Sequence, residues 1–310
     1  MRKIRNCNVA VIGGAGFLGS HLVDHLIKDR GCNVLVLDNL ITGRKGFIHA
    51  MAEFEWCDIT HSENALRKLF LINDIDYVFN YAAEPYVPVS YERPLHVFDI
   101  NARGALIAMN AAEDAGVKGF LQVSSAEIYG DATGKINEKH PAHPHSTYGA
   151  SKLAIDTLIQ ARWKENHTKA IALRQFNCVG ERDVLHPYII PEIIWQAQDS
   201  NIIQLGNNTT RDFMYAGDAV KCSVSLLEHG RFGEVYNLGS EEIIKMYDLA
   251  TLIGKLMGKD LAVIPDITRF RPWDIEHLQS DNTKINKIIP SFPKVSLKEM
   301  LRRTIKDLVD

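Results

Sequence analysis

The segment Val11-Ile-Gly-Gly-Ala-Gly-Phe-Leu-Gly19 constrains this chain more than any other stretch. It follows an apolar run at residues 8–12 that reads as a buried strand. It leads directly into an amphipathic stretch at residues 18–28 that reads as a helix. The glycines can be framed as G-x-x-G-x-x-G on Gly13, Gly16 and Gly19, or as G-x-G-x-x-G starting at Gly14. A strand, a glycine turn and a helix in that order bring free backbone N–H groups and the positive end of a helix dipole to one point. The missing side chains let an anion approach closely. Such a point suits the pyrophosphate of a dinucleotide. The next strand, residues 33–37, leads into Asp38, about twenty residues past the turn. A carboxylate there accepts hydrogen bonds from both ribose hydroxyls of NAD and repels the extra phosphate of NADP. Arg44 close by leaves NADP open as an alternative. Asp58, at the expected end of a third strand, can accept the adenine amino group or cap the following helix.

The pattern around this turn repeats. Residues 77–80 and 120–124 are further buried strands, and residues 63–70 and 102–115 are helical. Another helix starts near Ser146, and residues 170–174 form a further strand. Strands alternating with helices imply parallel βαβ units and a doubly wound parallel sheet of Rossmann type. Beyond about Asn177 the rhythm changes, and Pro187, Pro191, Pro265, Pro272, Pro290 and Pro293 punctuate shorter elements. Helices at residues 191–198, 217–228 and 247–257 and a strand at 235–238 are expected there. The 310 residues therefore divide into an NAD-binding domain at 1–176 carrying the catalytic groups, and a smaller α/β substrate lobe at 177–310. Residues 235–238 are able to return to the main sheet.

Composition narrows the partners. A formal charge of -3 without a long Lys/Arg run argues against nucleic acid and against an anionic membrane surface. No stretch approaches the ~18 apolar residues of a membrane span. The basic residues 1–6 run into a strand with no apolar signal segment, so the N-terminus reads as unprocessed. The cysteines, Cys7, Cys32, Cys57, Cys178 and Cys222, are odd in number and scattered, as expected of free thiols in a reducing cytoplasm. His140, His143 and His145 fall in a Pro-rich stretch without i, i+4 spacing or companion carboxylates. A surface loop, not a metal site, is expected.

Tyr148 and Lys152 stand four apart in Tyr-Gly-Ala-Ser-Lys, just inside the helix that starts near Ser146. That spacing puts both on one helix face. A tyrosine is a poor base at neutral pH, and a nearby ammonium together with a nicotinamide cation favours tyrosinate. Y-x-x-x-K alone is common on solvated helices. Behind a nucleotide fold, and after a strand ending Val123-Ser-Ser125, it gains meaning. A hydroxyl at a strand's carboxyl end lies where α/β folds bind ligands. Ser125 is thus placed to share a substrate hydroxyl's proton with Tyr148.

With these residues in view, the chain resembles the extended short-chain dehydrogenase/reductase family, in its nucleotide-sugar epimerase/dehydratase branch. The resemblance runs nearly end to end: GGAGFLGSHL, Asp38-Asn39, Asp58-Ile59, Asn80-Tyr-Ala-Ala83, Asn101 with Gly104, SSAEIYG at 124–130, YGASK, LRQFN ending at Asn177, RDFMYAGD from Arg211, and Arg271-Pro-Trp-Asp274. It implies NAD as cofactor, held by Gly13, Gly16, Phe17, Leu18, Gly19, Asp38, Asn39, Asp58, Ile59, Ala82, Tyr148 and Lys152. It implies that Asn177, Arg211 and Arg271 line the diphosphate of a nucleotide sugar. Forked guanidinium donors suit that task. It also implies a homodimer paired through a four-helix bundle.

The shared first step in this branch is oxidation at the sugar's carbon 4. A 4-epimerase needs no further carboxylate. A 4,6-dehydratase needs a base for the carbon-5 proton and an acid for the carbon-6 hydroxyl. Glu127 matches the glutamate of the dehydratases and of the UDP-glucuronate decarboxylases, and residues 80–92 look most like GDP-mannose 4,6-dehydratase. Ala126 departs from the aspartate of the dTDP-glucose type. Ser125, Glu127, Tyr148 and Lys152 are the expected catalytic group. The expected activity is an NDP-hexose 4,6-dehydratase, with 4-epimerase, then decarboxylase or 4-oxidase, as alternatives. For a decarboxylase, Arg269 or Arg271 would receive the substrate carboxylate. A non-catalytic NAD-binding scaffold is the rival from another class, and intact Ser125, Tyr148 and Lys152 speak against it.

Overall fold

The computed structural model describes residues 2–61, 63–184, 188–271, 273–289 and 294–309. Pro187, Pro272, Pro290 and Pro293 of the expected punctuation lie outside the described residues. The strands are β1 Asn8–Ile12, β2 Asn33–Asp38, β3 Glu53–Trp56, β4 Tyr77–Asn80, β5 Gly119–Ser125 and β6 Ala170–Gln175. They continue as β7 Asn177–Val179, β8 Ile202–Leu205, β9 Thr210–Tyr215, β10 Val235–Leu238, β11 Ile243–Lys245 and β12 Ala262–Pro265.

Seven of them form one sheet in the order β3-β2-β1-β4-β5-β6-β10, parallel throughout. Its inner strands are nearly unbroken apolar runs because helices cover both faces. Residues alternate between those faces with the period of a strand. Val9, Val11 and Phe79 meet Leu22 and Leu26 of the helix Phe17–Lys28 and Val220 and Leu227 of the helix Ala216–His229. Ala10 and Ile12 meet Leu66, Met109 and Ile155 on the other side, from the helices Glu63–Ile72, Ala105–Asp114 and Thr147–Asn166. The edge strand β3 is half-buried at best, with Glu53, Glu55 and Trp56 exposed. It therefore lacks the apolar signature of its neighbours. As its sequence allowed, 235–238 does return to the main sheet, as β10 beside β6.

The chain leaves this sheet at Phe176, the single residue between β6 and β7. β7, β9 and β11 build a second sheet, and β8 pairs with β12. With the helices Ile189–Asp199, Met246–Leu256 and Leu297–Val309 they enclose a separate core of Ile193, Ile203, Phe213, Leu249, Ile253 and Leu301. The helix expected at 102–115 is longer than its periodicity suggests. It runs from Pro94–Phe98 through a π-helical turn at Asp99–Gly104 into Ala105–Asp114. Such turns often serve a site. Here Asn101 Oδ1 accepts from the Glu84 amide at 2.9 Å and its Nδ2 donates to the Glu84 carbonyl at 3.0 Å. Among the described residues, no helix is long and apolar enough to cross a membrane.

A buried ion pair ties the layers together. Arg174 of β6 donates to Asp156 of the helix Thr147–Asn166 at 2.8 Å and to the Tyr129 hydroxyl at 2.8 Å, and that hydroxyl donates to Asn237 of β10 at 2.6 Å. Arg174 and Asp156 are both nearly inaccessible to solvent. Breaking such a pair leaves a buried charge alone, at about 3–5 kcal/mol. Arg174→Met should therefore lower unfolding free energy by about that much in urea titration. The double variant Arg174→Met/Asp156→Leu should recover most of the loss.

Candidate active site

Every site residue expected from the sequence lines one cleft of about 790 Å3 along the carboxyl ends of β1, β2, β4 and β5, roofed by the second sheet and its flanking loops. The glycine turn forms one end. Gly13 has φ +77°, and a Cβ there would lie 2.6 Å from the Ala82 nitrogen. A Cβ on Gly19 would come within 2.0 Å of the Gly13 carbonyl oxygen. Asn80 fixes the facing peptide: its Oδ1 accepts from the Ala82 amide at 3.1 Å while its Nδ2 donates to Gln122 at 2.8 Å. The helix Phe17–Lys28 opens on Gly16 with no side-chain cap and no acidic residue in its first turn, so its leading amides face the cleft unfilled.

Asp38 is buried at the end of β2. Its two oxygens accept from the Ala15 amide at 3.0 Å and the Leu40 amide at 2.8 Å, and each keeps a lone pair for a further donor. Burial raises this carboxyl, and those two amides oppose the shift. Asp58 Oδ1 accepts from the amide and hydroxyl of Thr60, and its Oδ2 accepts from Asn39 Nδ2 at 3.2 Å. Asp58 thus holds the turn before the helix and keeps Asn39 in place while lining the cleft beside Ile59. Arg44 lies off the cleft, its guanidinium over the Phe47 ring at 5.8 Å. A tight glycine cradle, open amides and a two-acceptor carboxylate fit a dinucleotide.

At the middle of the cleft stand Ser125, Glu127, Tyr148 and Lys152. The helix carrying the last two starts at a capped end, where Ser146 Oγ accepts from the Gly149 amide at 3.1 Å. Lys152 Nζ donates to the Val123 carbonyl at 3.2 Å and lies 5.8 Å from the Tyr148 ring centroid. Burial lowers Lys152 to about 8, with Asp156 opposing. Burial pushes Tyr148 up to about 12; a hydrogen bond with Ser125 opposes this, and the charges of Glu127 and Glu84 add to it. The ammonium expected to favour tyrosinate is thus outweighed by burial. Ser125 Oγ accepts from the Glu127 amide at 3.1 Å, and Glu127 lines the cleft beside it. Burial raises the Glu127 carboxyl, opposed by Arg211 and Arg271. Among the described residues no hydrogen-bond donor meets that carboxylate.

The far end carries the arginines. Arg211 of β9 donates to Asp274 at 2.8 Å, and Arg271 lies over Tyr86 at 5.7 Å. Asn207 clamps the backbone of Arg271 in both directions, at 2.8 and 3.3 Å. Tyr86 meets Tyr188 edge-on at 5.6 Å, and Asn177 lines the wall beside them.

A family model described as the NAD dependent epimerase/dehydratase family matches residues 9–239. The chain belongs to this family. The UDP-glucose 4-epimerase of Lactobacillus helveticus is 30% identical over 92% of this chain and 92% of that protein. The human dTDP-D-glucose 4,6-dehydratase is 28% identical over 96% of this chain and 89% of that one. Among solved structures, Thermotoga maritima UDP-glucose 4-epimerase with UDP-glucose superimposes with a TM-score of 0.91 at 28% identity, covering 97% and 98% of the two chains. The fold expectation and the family resemblance are borne out, and NAD is the cofactor. Family membership makes the protein an enzyme of the NAD-dependent nucleotide-sugar epimerase/dehydratase kind.

Sequence reasoning missed several groups that share this family site. Glu84 sat in a quoted stretch without a role. Tyr188, Asp274 and Asp183 carry no periodicity or spacing that would single them out, and the Arg174–Asp156 pair spans two elements. For Lys152 the lowered folded value has a thermodynamic consequence. Between pH 8 and 10.5 the unfolded chain holds a proton on this group that the native state does not, so native stability rises with pH across that window. In cofactor-free protein, wild type should therefore gain on the order of 2 kcal/mol over Lys152→Met between pH 8 and 10. Urea denaturation of both at each pH measures it.

Proposed function

We propose that this enzyme is a nucleotide-diphosphate-hexose 4,6-dehydratase. The observation that carries the reading is Glu127, a carboxyl raised by burial, beside Tyr148, with no donor of its own among the described residues. Gly13, Gly16, Phe17, Leu18 and Gly19 hold the cofactor's pyrophosphate in this reading. Asp38 and Asn39 take the adenosine ribose, Asp58 and Ile59 the adenine, and Ala82 closes the cradle. Asn177, Arg211 and Arg271 hold the substrate's diphosphate. Residues 1–176 then serve as the cofactor domain and 177–310 as the substrate lobe, with β10 returned to the first.

When bound, NAD supplies the acceptor, and later the donor, of the hydride from carbon 4. Ser125 holds the 4-hydroxyl, and Tyr148, as the tyrosinate that the Lys152 ammonium and a bound nicotinamide cation favour, removes its proton. The resulting ketone acidifies carbon 5, and Glu127 takes that proton. The protonated carboxyl then passes it to the carbon-6 hydroxyl, which leaves as water with a C5=C6 double bond behind it; carbon 6 then takes the hydride back, and carbon 5 takes the equivalent of the proton that Tyr148 removed. A carboxyl with a raised pKa suits both halves of this exchange.

A second reading, 4-epimerase, is favoured by Ala126, a buried methyl group where dTDP-glucose-type dehydratases carry an acid. A decarboxylase is disfavoured. Arg269 is committed to Glu192 at 2.8 Å and Asp266 at 3.3 Å, and Glu84, Glu127 and Asp183 share the cleft that would receive a uronate.

Purified enzyme given UDP-, dTDP-, GDP- and CDP-hexoses should release a product lighter by one water, read by mass spectrometry. An isobaric product instead would establish the epimerase. Tyr148→Phe should lower turnover by about two to four orders of magnitude, while NAD stays bound. Glu127→Gln should stop dehydration yet still allow substrate to reduce bound NAD, seen by absorbance; full dehydratase turnover in that variant would remove Glu127 from the mechanism.

A cytoplasmic homodimer belongs to the same proposal. Leu95 and Phe98, 81% and 42% exposed, lie on the segment that packs against the helix Thr147–Asn166 and offer an apolar face for a second copy. Leu95→Asp/Phe98→Asp should shift the species seen by light scattering from dimer to monomer.

A further inference from the structure

Cys7 and Cys32 stand at the amino ends of β1 and β2, each one residue before the register pair Asn8 and Asn33. The Asn33 amide donates to the Cys7 carbonyl at 3.0 Å, so the two cysteines are neighbours across the ladder. Two turns hold them there. Asn6 at φ +51° and Gly31 at φ +64° lead into the pair, and the Asn6 amide donates to the Arg30 carbonyl at 3.0 Å. A Cβ on Gly31 would lie 2.6 Å from Asn6 Oδ1, so only glycine lets the turns close on each other this tightly. Both side chains join the apolar core that holds Leu22 and Leu26, and their sulfurs lie 3.7 Å apart.

That placement suits a bond between them. Neighbouring strands run about 4.7–4.9 Å apart, within the ~4.4–6.8 Å that separates the Cα atoms of a disulfide. The sulfurs need to close from 3.7 Å to about 2.05 Å, a movement within reach of side-chain rotation. Cys7 is half-buried and open to a small reagent, while Cys32 is 6% exposed behind it. Cys32 is lowered to about 7, chiefly by the hydrogen bond from the Cys7 thiol; burial opposes this, and the Cys7 and Asn6 amides and the Arg30 charge add to it. The pair thus gives up one proton readily and shares the other. Burial pushes the thiols of Cys57, Cys178 and Cys222 up, which leaves them poor nucleophiles.

We propose that Cys7 and Cys32 are a reversible modification site, a dithiol that a low-molecular-weight disulfide oxidises to an intramolecular disulfide bracing β1 against β2. The accessible Cys7 sulfur, as thiolate, attacks one sulfur of the reagent, breaks its S–S bond and releases one thiolate. The Cys32 thiolate then attacks the Cys7 sulfur of that mixed disulfide and releases the second. Two protein thiols are oxidised, one reagent disulfide is reduced to two thiols, and the two protons pass to those. Neither cysteine lines the cleft, which lies at the opposite end of both strands.

The test treats the purified protein with glutathione disulfide and follows it by mass spectrometry and peptide mapping. Wild type should lose the mass of two hydrogen atoms, yield a peptide joining Cys7 to Cys32, and return to its starting mass with dithiothreitol. Closing a loop that spans 25 residues should raise the Tm by about 5 °C. Cys32→Ser should instead retain one glutathione on Cys7, and Cys7→Ser should take up none at Cys32. Wild type that keeps glutathione attached, links either cysteine elsewhere or to a second chain, or does not react overturns the site. A linked protein whose Tm stays level or falls overturns the bracing.

Discussion

Lys152 is an ammonium held almost entirely out of water, and much of the structure answers that one demand. Burial lowers it to about 8. The Val123 carbonyl takes one of its donors, and Asp156, one helical turn away, opposes the shift. Asp156 is itself buried and needs Arg174; Arg174 needs the Tyr129 hydroxyl as well, and that hydroxyl leans on Asn237. The path runs from the helix that carries Lys152 through β6 and the loop after β5 to β10, the strand that returns from late in the chain. Adding β10 to the sheet thus completes the polar support of the lysine as well as the apolar core. The same helix carries Tyr148, so the rigidity that keeps Lys152 cationic in a dry place also fixes the tyrosine.

The cost of that dryness falls on Tyr148. Its phenol sits at about 12, further from neutral use than a tyrosine in water. A hydrogen bond with Ser125 works against that shift, while Glu127 and Glu84 work for it. A site that made tyrosinate its resting state would not place two carboxylates near it. This arrangement holds the proton until a ligand brings its own hydroxyl and charge.

Much of this was legible in the sequence, for identifiable reasons. β1, β4 and β10 are buried on both faces, so their apolar runs match the expected bounds residue for residue. The glycine turn declared itself because only glycine fits against the Ala82 peptide. β3 did not, because an exposed edge strand with Glu53 and Glu55 carries no apolar pattern. In the second lobe, β8 alternates exposed and buried positions over only four residues, and β7 and β11 span three each. Strands so short give no periodicity to read. The terminal helix Leu297–Val309 buries only Met300, Leu301 and Thr304 of a largely charged segment. Asp183 was invisible for a different reason. The two residues before it, Glu181 and Arg182, are held by His21, Asp24, Tyr215 and Asp307, all remote in sequence, in a way that no composition rule foretells.

The distribution of charge along the cleft gives the site its polarity. Arg211 and Arg271 stand at one end, and Glu84 and Glu127 act on Tyr148 toward the middle. An anionic group entering with two negative charges is drawn to the arginine end and repelled by the carboxylates, which fixes the direction in which a long ligand lies. Arg211 is already shared with Asp274, so its attraction is moderated, whereas Arg271 rests on an aromatic face and meets no carboxylate among the described residues. The two arginines are therefore unequal: Arg211 is fixed by its aspartate, and Arg271 is held by an aromatic face and by its backbone bonds to Asn207.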